Sequence, residues 1–326
     1  RKLYIQGLET SMRTVVTGVA GFIGSTLADS LLEAGHKVTG IDAFTDYYNP
    51  EAKRKNLAGA LSSEHFELIT ADLTSAVLQD FLSPEDTVFH LAGQPGVRAS
   101  WGEGFREYVD WNVTATQRLL EACRDISVKR FVYSSSSSLY GSATTYPTSE
   151  SALPKPVSPY GVTKLAAEHL TTLYGTNFGL STVSLRYFTV YGPRQRPDMA
   201  HHRLINCALN GDVFQLNGDG SQIRDFTFIS DAVRANMLAA EADVAAGSSF
   251  NIGGGSMASL QYVIDQIEDL VGASIATNKV PRPPGDPDKT GADISQAEKY
   301  LNWTPSIDLP TGIAQQVAWH QKQLSY

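Results

Sequence analysis

Thr14-Val15-Val16-Thr17-Gly18-Val19-Ala20-Gly21-Phe22-Ile23-Gly24 is the stretch that decides the fold. Thr14 to Thr17 reads as an apolar strand that runs straight into Gly18, Gly21 and Gly24. The spacing predicts a helix over Phe22 to Ala34, then, past Gly35, a second strand from Lys37 to Ile41 that ends at Asp42. Strand, glycine turn, helix and strand, with an acid about 20 residues beyond the turn, is the pattern of a dinucleotide site. Small residues let the backbone approach a pyrophosphate at a helix N-terminus, where unpaired N–H groups and the dipole favour negative charge. Asp42 is placed to accept from an adenine-ribose 2'-hydroxyl and would repel a 2'-phosphate, so NAD is expected rather than NADP. Lys53, Arg54 and Lys55 read as a solvated helix face.

The chain around this unit has 326 residues, enough for one large α/β domain and a smaller lobe. Its formal net charge of -8 and lack of a basic run argue against a nucleic-acid partner. Cys123 and Cys207 show no CxxC spacing, which speaks against a disulfide framework or zinc site and for a reducing cytoplasm. His201 and His202 lack a spaced ligand set, and no metal is expected. No apolar run is long enough to span a membrane. Residues 1–11 lack an apolar core and look like a protease-site remnant of recombinant expression.

Further on, Phe66 to Ile69, followed by Asp72 and Leu73, and Thr87 to Leu91, followed by Ala92 and Gly93, read as strands whose carboxyl ends reach the ligand crevice of a parallel sheet. Asp72 either meets an adenine amino group or caps its own loop. Gln94 to Trp101, with Pro95, Gly96 and Arg98, is an irregular loop in the same crevice; Arg98 faces an anionic substrate or merely solvates the loop. Phe105 to Arg124 has helical periodicity, and Val128 to Tyr133 is a strand that delivers Ser134 to Ser138.

Tyr160 and Lys164 stand four apart in a helix opened by Ser158 as N-cap and Pro159, so one face presents a phenol and a cation. A free phenol titrates near 10 and is a poor base unless a positive neighbour favours phenolate, which Lys164 is expected to supply. With the serines holding a substrate hydroxyl, the stretch reads as a proton-transfer site. Thr182 to Arg186 is another strand, ending in Tyr187, and Val280 to Asp288 is a loop around Arg282. A nucleotide domain over 12–180 and a lobe over 181–326 are expected, with segments near 181–190 and 225–255 returning to the first domain.

TGVAGFIG at Thr17–Gly24, SPYGVTK at Ser158–Lys164 and LRYFTVYGPRQRP at Leu185–Pro197 together resemble the extended short-chain dehydrogenase/reductase family of nucleotide-sugar epimerases, dehydratases and decarboxylases. The resemblance implies a doubly wound, Rossmann-type α/β fold with a mainly seven-stranded parallel sheet, a tightly held NAD, a nucleoside-diphosphate sugar and a homodimer through the helices near 105–124 and 160–176. It assigns Tyr160 as general base and acid, Lys164 as its electrostatic partner and ribose ligand, and Ser136 as the hydroxyl on the sugar 4-OH. Gly18, Ala20, Gly21, Phe22, Ile23, Gly24, Asp42, Asp72, Leu73, Leu91, Ala92, Gly93 and Tyr187 fall at cofactor positions, Arg224 at the diphosphate, and Arg282 at a second contact there.

Departures within the family narrow the reaction. Dehydratases carry Asp and Glu where Ser137 and Ser138 stand, and decarboxylases a Glu at the Ser138 position, so 4-epimerisation is favoured. Thr189 replaces the Asn usual in enzymes of UDP-glucose, and the segment is similar to that of UDP-glucuronate 4-epimerases. Ser137, Ser138 and Thr189 would then hold a C5 carboxylate, with Arg196 or Arg98 balancing its charge and Pro95 in the substrate crevice. The runner-up is a UDP-glucose/UDP-galactose 4-epimerase, then a UDP-glucuronate decarboxylase, then a non-catalytic NAD sensor.

Overall fold

β1 (Arg13–Thr17) is buried at four of its five residues, which suits a central strand covered on both faces. It leads through Gly18, at φ +68°, into α1 (Phe22–Glu33), whose N-cap is Gly21. β2 (Lys37–Asp42), α2 (Pro50–Asn56), β3 (Phe66–Thr70) and β4 (Asp86–His90) follow. The structure, a computed structural model, describes residues 11–324; apart from Ser11, the expected expression remnant lies outside the described residues.

β1 pairs in parallel with β2 on one side and β4 on the other, with Val16 opposite Gly40 and Phe89. With β5 (Arg130–Ser136), β6 (Thr182–Tyr187) and a seventh strand, Ser248–Ile252, the sheet runs in the order 3-2-1-4-5-6-7, all parallel. Strand order reverses between β1 and β4, so the connections that follow them run in opposite directions and leave the crevice in which such sheets bind ligands. The expected seven-stranded Rossmann-type sheet is therefore what the chain forms.

The helix expected over Phe105 to Arg124 forms without a break but is not α-helical throughout. α3 (Phe105–Tyr108) gives way to π-helical turns over Val109–Thr114 before α4 (Ala115–Ile126). The cause is Asn112, buried in the wide turn, where its side chain pairs with the Gln94 N–H (2.7 Å) and C=O (3.0 Å) and with Thr163 Oγ1 (3.1 Å). Packing energy from these bonds outweighs the regular helical ladder, as at other π-bulges beside functional sites. α5 (Pro159–Phe178) begins as read, with Ser158 Oγ accepting from the Gly161 N–H at 3.1 Å, and ends at Gly179 in the left-handed region.

Beyond β6 the chain shuttles between layers. Helix Ile229–Glu241 packs on β5, β6 and α1, and its Asp231 carboxylate accepts the N–H groups of Ser306 and Ile307. Helices Ala200–Asn210, Leu260–Val271 and Leu309–Leu324 and short strand pairs such as Phe214–Asn217 with Thr277–Val280 make up much of the rest of this part of the chain.

A Cβ on Gly24 would overlap the Gly18 carbonyl oxygen, a backbone atom that cannot move without breaking the turn. Gly24→Ala is expected to destabilise the protein by roughly 1–3 kcal/mol, as overpacking does, measured by urea unfolding with the m-value unchanged.

Candidate active site

Beyond the carboxyl ends of β1 and β4, where the segments that follow the two strands separate, lies a cleft lined by Gly18, Gly21, Phe22, Ile23, Gly24, Asp42, Asp72, Leu73, Leu91, Ala92, Gly93 and Pro95. Its floor exists only because side chains are missing. A Cβ on Gly18 would stand 2.7 Å from the Ala92 nitrogen, and one on Gly93 2.7 Å from Asn112 Oδ1. Asp42 is fixed at the cleft, one carboxylate oxygen accepting from the Ala20 N–H (3.0 Å) and the other from the Phe44 N–H (2.8 Å). Asp72 does cap its own loop, Oδ1 accepting from the Thr74 N–H and hydroxyl, both at 2.8 Å.

Four expected cofactor contacts, Ala20, Tyr160, Lys164 and Tyr187, are not among the residues that line this cleft. Ala20 is fully buried behind the turn, and Tyr187 is buried with its hydroxyl accepting from Asn236 Nδ2 at 2.7 Å. The loop after β2 instead contributes Tyr47, Tyr48 and Lys53 to the cleft, and Trp111 and Arg196 line it too. The reading of Lys53 as part of a solvated face is corrected: it is 6% exposed, donates to the Thr45 C=O at 2.6 Å and lies over the Tyr48 ring. One Lys in a run of three basic residues gives no sign that it alone turns inward. Asn112 was likewise visible only as one turn from Thr116.

The Tyr48 hydroxyl is buried without a partner, an orphan polar group that a bound ribose or other hydroxylated ligand would satisfy. Together with the cradle below Gly18 and Gly93 and the carboxylate of Asp42, the residues present fit a dinucleotide.

Tyr160 and Lys164 share a face of α5, but the ammonium does not serve the phenol as the spacing suggested. Lys164 Nζ donates to the Ser134 C=O at 2.8 Å and lies over the Tyr133 ring. Burial pulls its pKa down to about 8. Burial raises the Tyr160 phenol above its ordinary value, opposed by a hydrogen bond with Ser136 and by the positive charge of Arg196. The charge that helps the phenolate in the free protein is thus Arg196, drawn from a different loop. Ser136 accepts from the Ser138 N–H at 3.1 Å and caps the tight turn Ser137–Tyr140. Since Ser136 is paired with Tyr187 across β5 and β6, Ser137, Ser138 and Thr189 continue beyond the same edge of the sheet.

A second cleft adjoins the first at Tyr47 and is lined by Gly96, Arg98, Asp198, Arg203 and Asp286 among others. The arginines in and beside it already have partners, Arg203 lying over the Phe214 ring. Arg196 forks onto Asp198 at 3.0 and 3.1 Å, Arg224 pairs with Asp286, Arg282 with Asp288, and exposed Arg98 meets the Asn217 amide oxygen. His201 stacks on Tyr191, and His202 bonds the Gln195 backbone. Among the described residues no three His, Cys, Asp or Glu side chains are arranged to hold a metal.

Residues 14–253 match the model of the NAD dependent epimerase/dehydratase family. The chain is 44% identical over 309 residues to the uncharacterized UDP-glucose epimerase YtcB of Bacillus subtilis, covering 94% of this chain and 98% of that protein. It is 37% identical over 314 residues to a UDP-glucuronate 4-epimerase of Thermodesulfobacterium geofontis, covering 95% and 96%. The crystal structure of UDP-glucuronic acid 4-epimerase from Bacillus cereus in complex with UDP-glucuronic acid and NAD superposes with a TM-score of 0.93 at 43% identity, over 96% of this chain and 100% of that one. The family match over residues 14–253, with homology over nearly the whole chain and a glycine cradle at the end of β1, makes this protein a member of the NAD dependent epimerase/dehydratase family.

Proposed function

We propose that the protein is an NAD-dependent UDP-sugar 4-epimerase that interconverts UDP-glucuronate and UDP-galacturonate. The observation that carries this reading is the half-buried Tyr160 phenol, on which Ser136 acts to oppose the upward shift of its pKa, next to Ser137 and Ser138, where an eliminating or decarboxylating relative needs an acid. Full-length likeness to the Bacillus cereus enzyme supports the substrate.

In this reading Gly18, Gly21, Gly24, Asp42 and Tyr48 hold the dinucleotide, and Lys164 and Tyr160 stand at its nicotinamide end. Bound NAD supplies the chemistry of taking the C4 hydride and returning it to the opposite face. Tyr160 as phenolate removes the 4-OH proton with Ser136 sharing the hydrogen bond, and gives it back when the ketone is reduced. Proton transfer of this kind is worth about 10²- to 10⁴-fold. Arg224 and Arg282 hold the diphosphate on which the 4-keto sugar pivots, exchanging Asp286 and Asp288 for phosphate oxygens. That sugar is a β-keto acid, which loses carbon dioxide when its carboxylate bond stands perpendicular to the ketone plane. Ser137, Ser138 and Thr189 keep the carboxylate off that geometry, with Arg196 balancing its charge.

The same reading divides the chain into a nucleotide domain over 12–180 and a sugar-binding lobe over 181–326. Segments 181–190 and 225–255 rejoin the sheet, which β6 and Ser248–Ile252 support. It takes the protein as a cytoplasmic homodimer through α3, α4 and α5, on which Phe105, Val162, Leu173 and Phe178 are 40–57% exposed. No described helix is long and apolar enough to cross a membrane.

Purified protein given UDP-glucuronate and no added NAD is expected to yield UDP-galacturonate, identified by chromatography; equal efficiency with UDP-glucose would overturn the substrate. Thr189→Ala is expected to raise the share of UDP-pentose among products, and an unchanged ratio would remove the carboxylate role. In this reading the Lys164 ammonium holds the nicotinamide ribose of the bound dinucleotide, and, lowered to about 8, it loses its charge as pH rises through that value. The rate is therefore expected to fall on the alkaline side near pH 8, and a pH–rate profile of Lys164→Arg, which stays charged, to lack that limb.

A further inference from the structure

Tyr160 and Lys164 are followed at the same four-residue spacing by Glu168, so α5 carries a phenol, an ammonium and a carboxylate in one row. The third member points into the protein. Glu168 is 4% exposed, and its Oε2 accepts the Ser135 hydroxyl proton at 2.5 Å. Arg186 closes on both carboxylate oxygens, Nε at 3.1 Å from each and Nη2 at 2.6 Å from Oε1. From Arg186 the bonds continue through the Tyr140 hydroxyl (2.6 Å) to Asn251 Oδ1 (2.7 Å). Asn251 Nδ2 in turn donates to the carbonyls of Thr148 and Asp293 at 2.9 and 3.1 Å.

This chain grips the site from behind. Ser135 precedes Ser136, and Tyr140 ends the tight turn that Ser136 caps, so both sides of this serine are tied to the helix that carries the phenol. A buried ion pair contributes little net stability against an apolar replacement, because desolvating the charges offsets their attraction. Its geometry has a use that stability does not supply. Reacting groups must be held within about half an ångström of the productive arrangement, and Ser136 and Tyr160 come from separate elements.

We propose that Ser135 and Glu168 are positioning residues that hold Ser136, at the end of β5, in its place against Tyr160 on α5. The inference rests on the epimerase reading for its kinetic consequence but not for its structural one. The test is Ser135→Ala, with Ser135→Thr as the conservative variant that keeps the donor, both in the NAD-loaded protein. Ser135→Ala is expected to lower kcat about tenfold, a fraction of a full proton-transfer term, with KM for UDP-glucuronate within about twofold. The acid limb of its kcat profile moves to higher pH because Ser136 no longer opposes the upward shift of the phenol's pKa, and Ser135→Thr restores both. Ionisation of Tyr160, followed by ultraviolet difference against Tyr160→Phe, is expected to move in the same direction without any substrate. A lowered melting temperature with kcat, pH profile and Tyr160 titration unchanged would show a purely structural bond and overturn the proposal. A wild-type protein inert towards UDP-sugars, in which Ser135→Ala still raises the Tyr160 titration, would sink the epimerase reading and leave the positioning role standing.

Discussion

The approach of α1 to the end of β1 is the constraint on which the rest of the structure depends. Gly24 sits against the Gly18 carbonyl and Gly18 against the Ala92 backbone, each at a separation that a methyl group would abolish. Three consequences follow from that contact. The helix N-terminus, with its unpaired N–H groups, faces the cleft; β1 and β4 share a carboxyl-terminal edge; and Asp42, at the end of the neighbouring strand, reaches back to the Ala20 N–H across the turn.

A second, polar connection carries this geometry to the reacting groups. The Ala92 N–H donates to Thr17 Oγ1, and His90 lies between Thr17 (2.7 Å) and Thr116 (2.9 Å). Since the Thr116 hydroxyl already donates to the Asn112 C=O, it accepts from His90 Nε2–H, and Nδ1 accepts from Thr17. Burial holds this imidazole neutral, its pKa pushed down to about 3. Asn112 then binds the Gln94 backbone and Thr163, which lies between Tyr160 and Lys164. The π-helical turn is the local cost of bringing Asn112 to that point, and it joins the cofactor floor to the catalytic helix through bonds that have a fixed direction.

Electrostatics around the second cleft follow a different rule. The chain is acidic overall, yet Arg196 and Arg224 meet Asp198 and Asp286, which line this cleft, and Arg282 beside them meets Asp288. Paired guanidinium groups stay oriented without a ligand, and an anionic ligand competes with a side-chain carboxylate rather than with bulk water. Arg196 also acts on Tyr160, so the segment that carries it connects the substrate side of the site with the phenol.

By itself the sequence determined the sheet, the glycine turn, the acid at Asp42 and the helical row of Tyr160 and Lys164. These are set by local periodicity, by residues without side chains and by an N-cap, all of which act over a few residues. Only the tertiary structure decided what those groups touch. Lys164 turns to the Ser134 carbonyl, Lys53 turns inward from a basic run, Asn112 widens its helix, and Tyr187 is drawn beneath the sheet to Asn236. Each of these depends on a partner far away in the chain and on the cost of leaving a buried polar group unpaired, which no local pattern records.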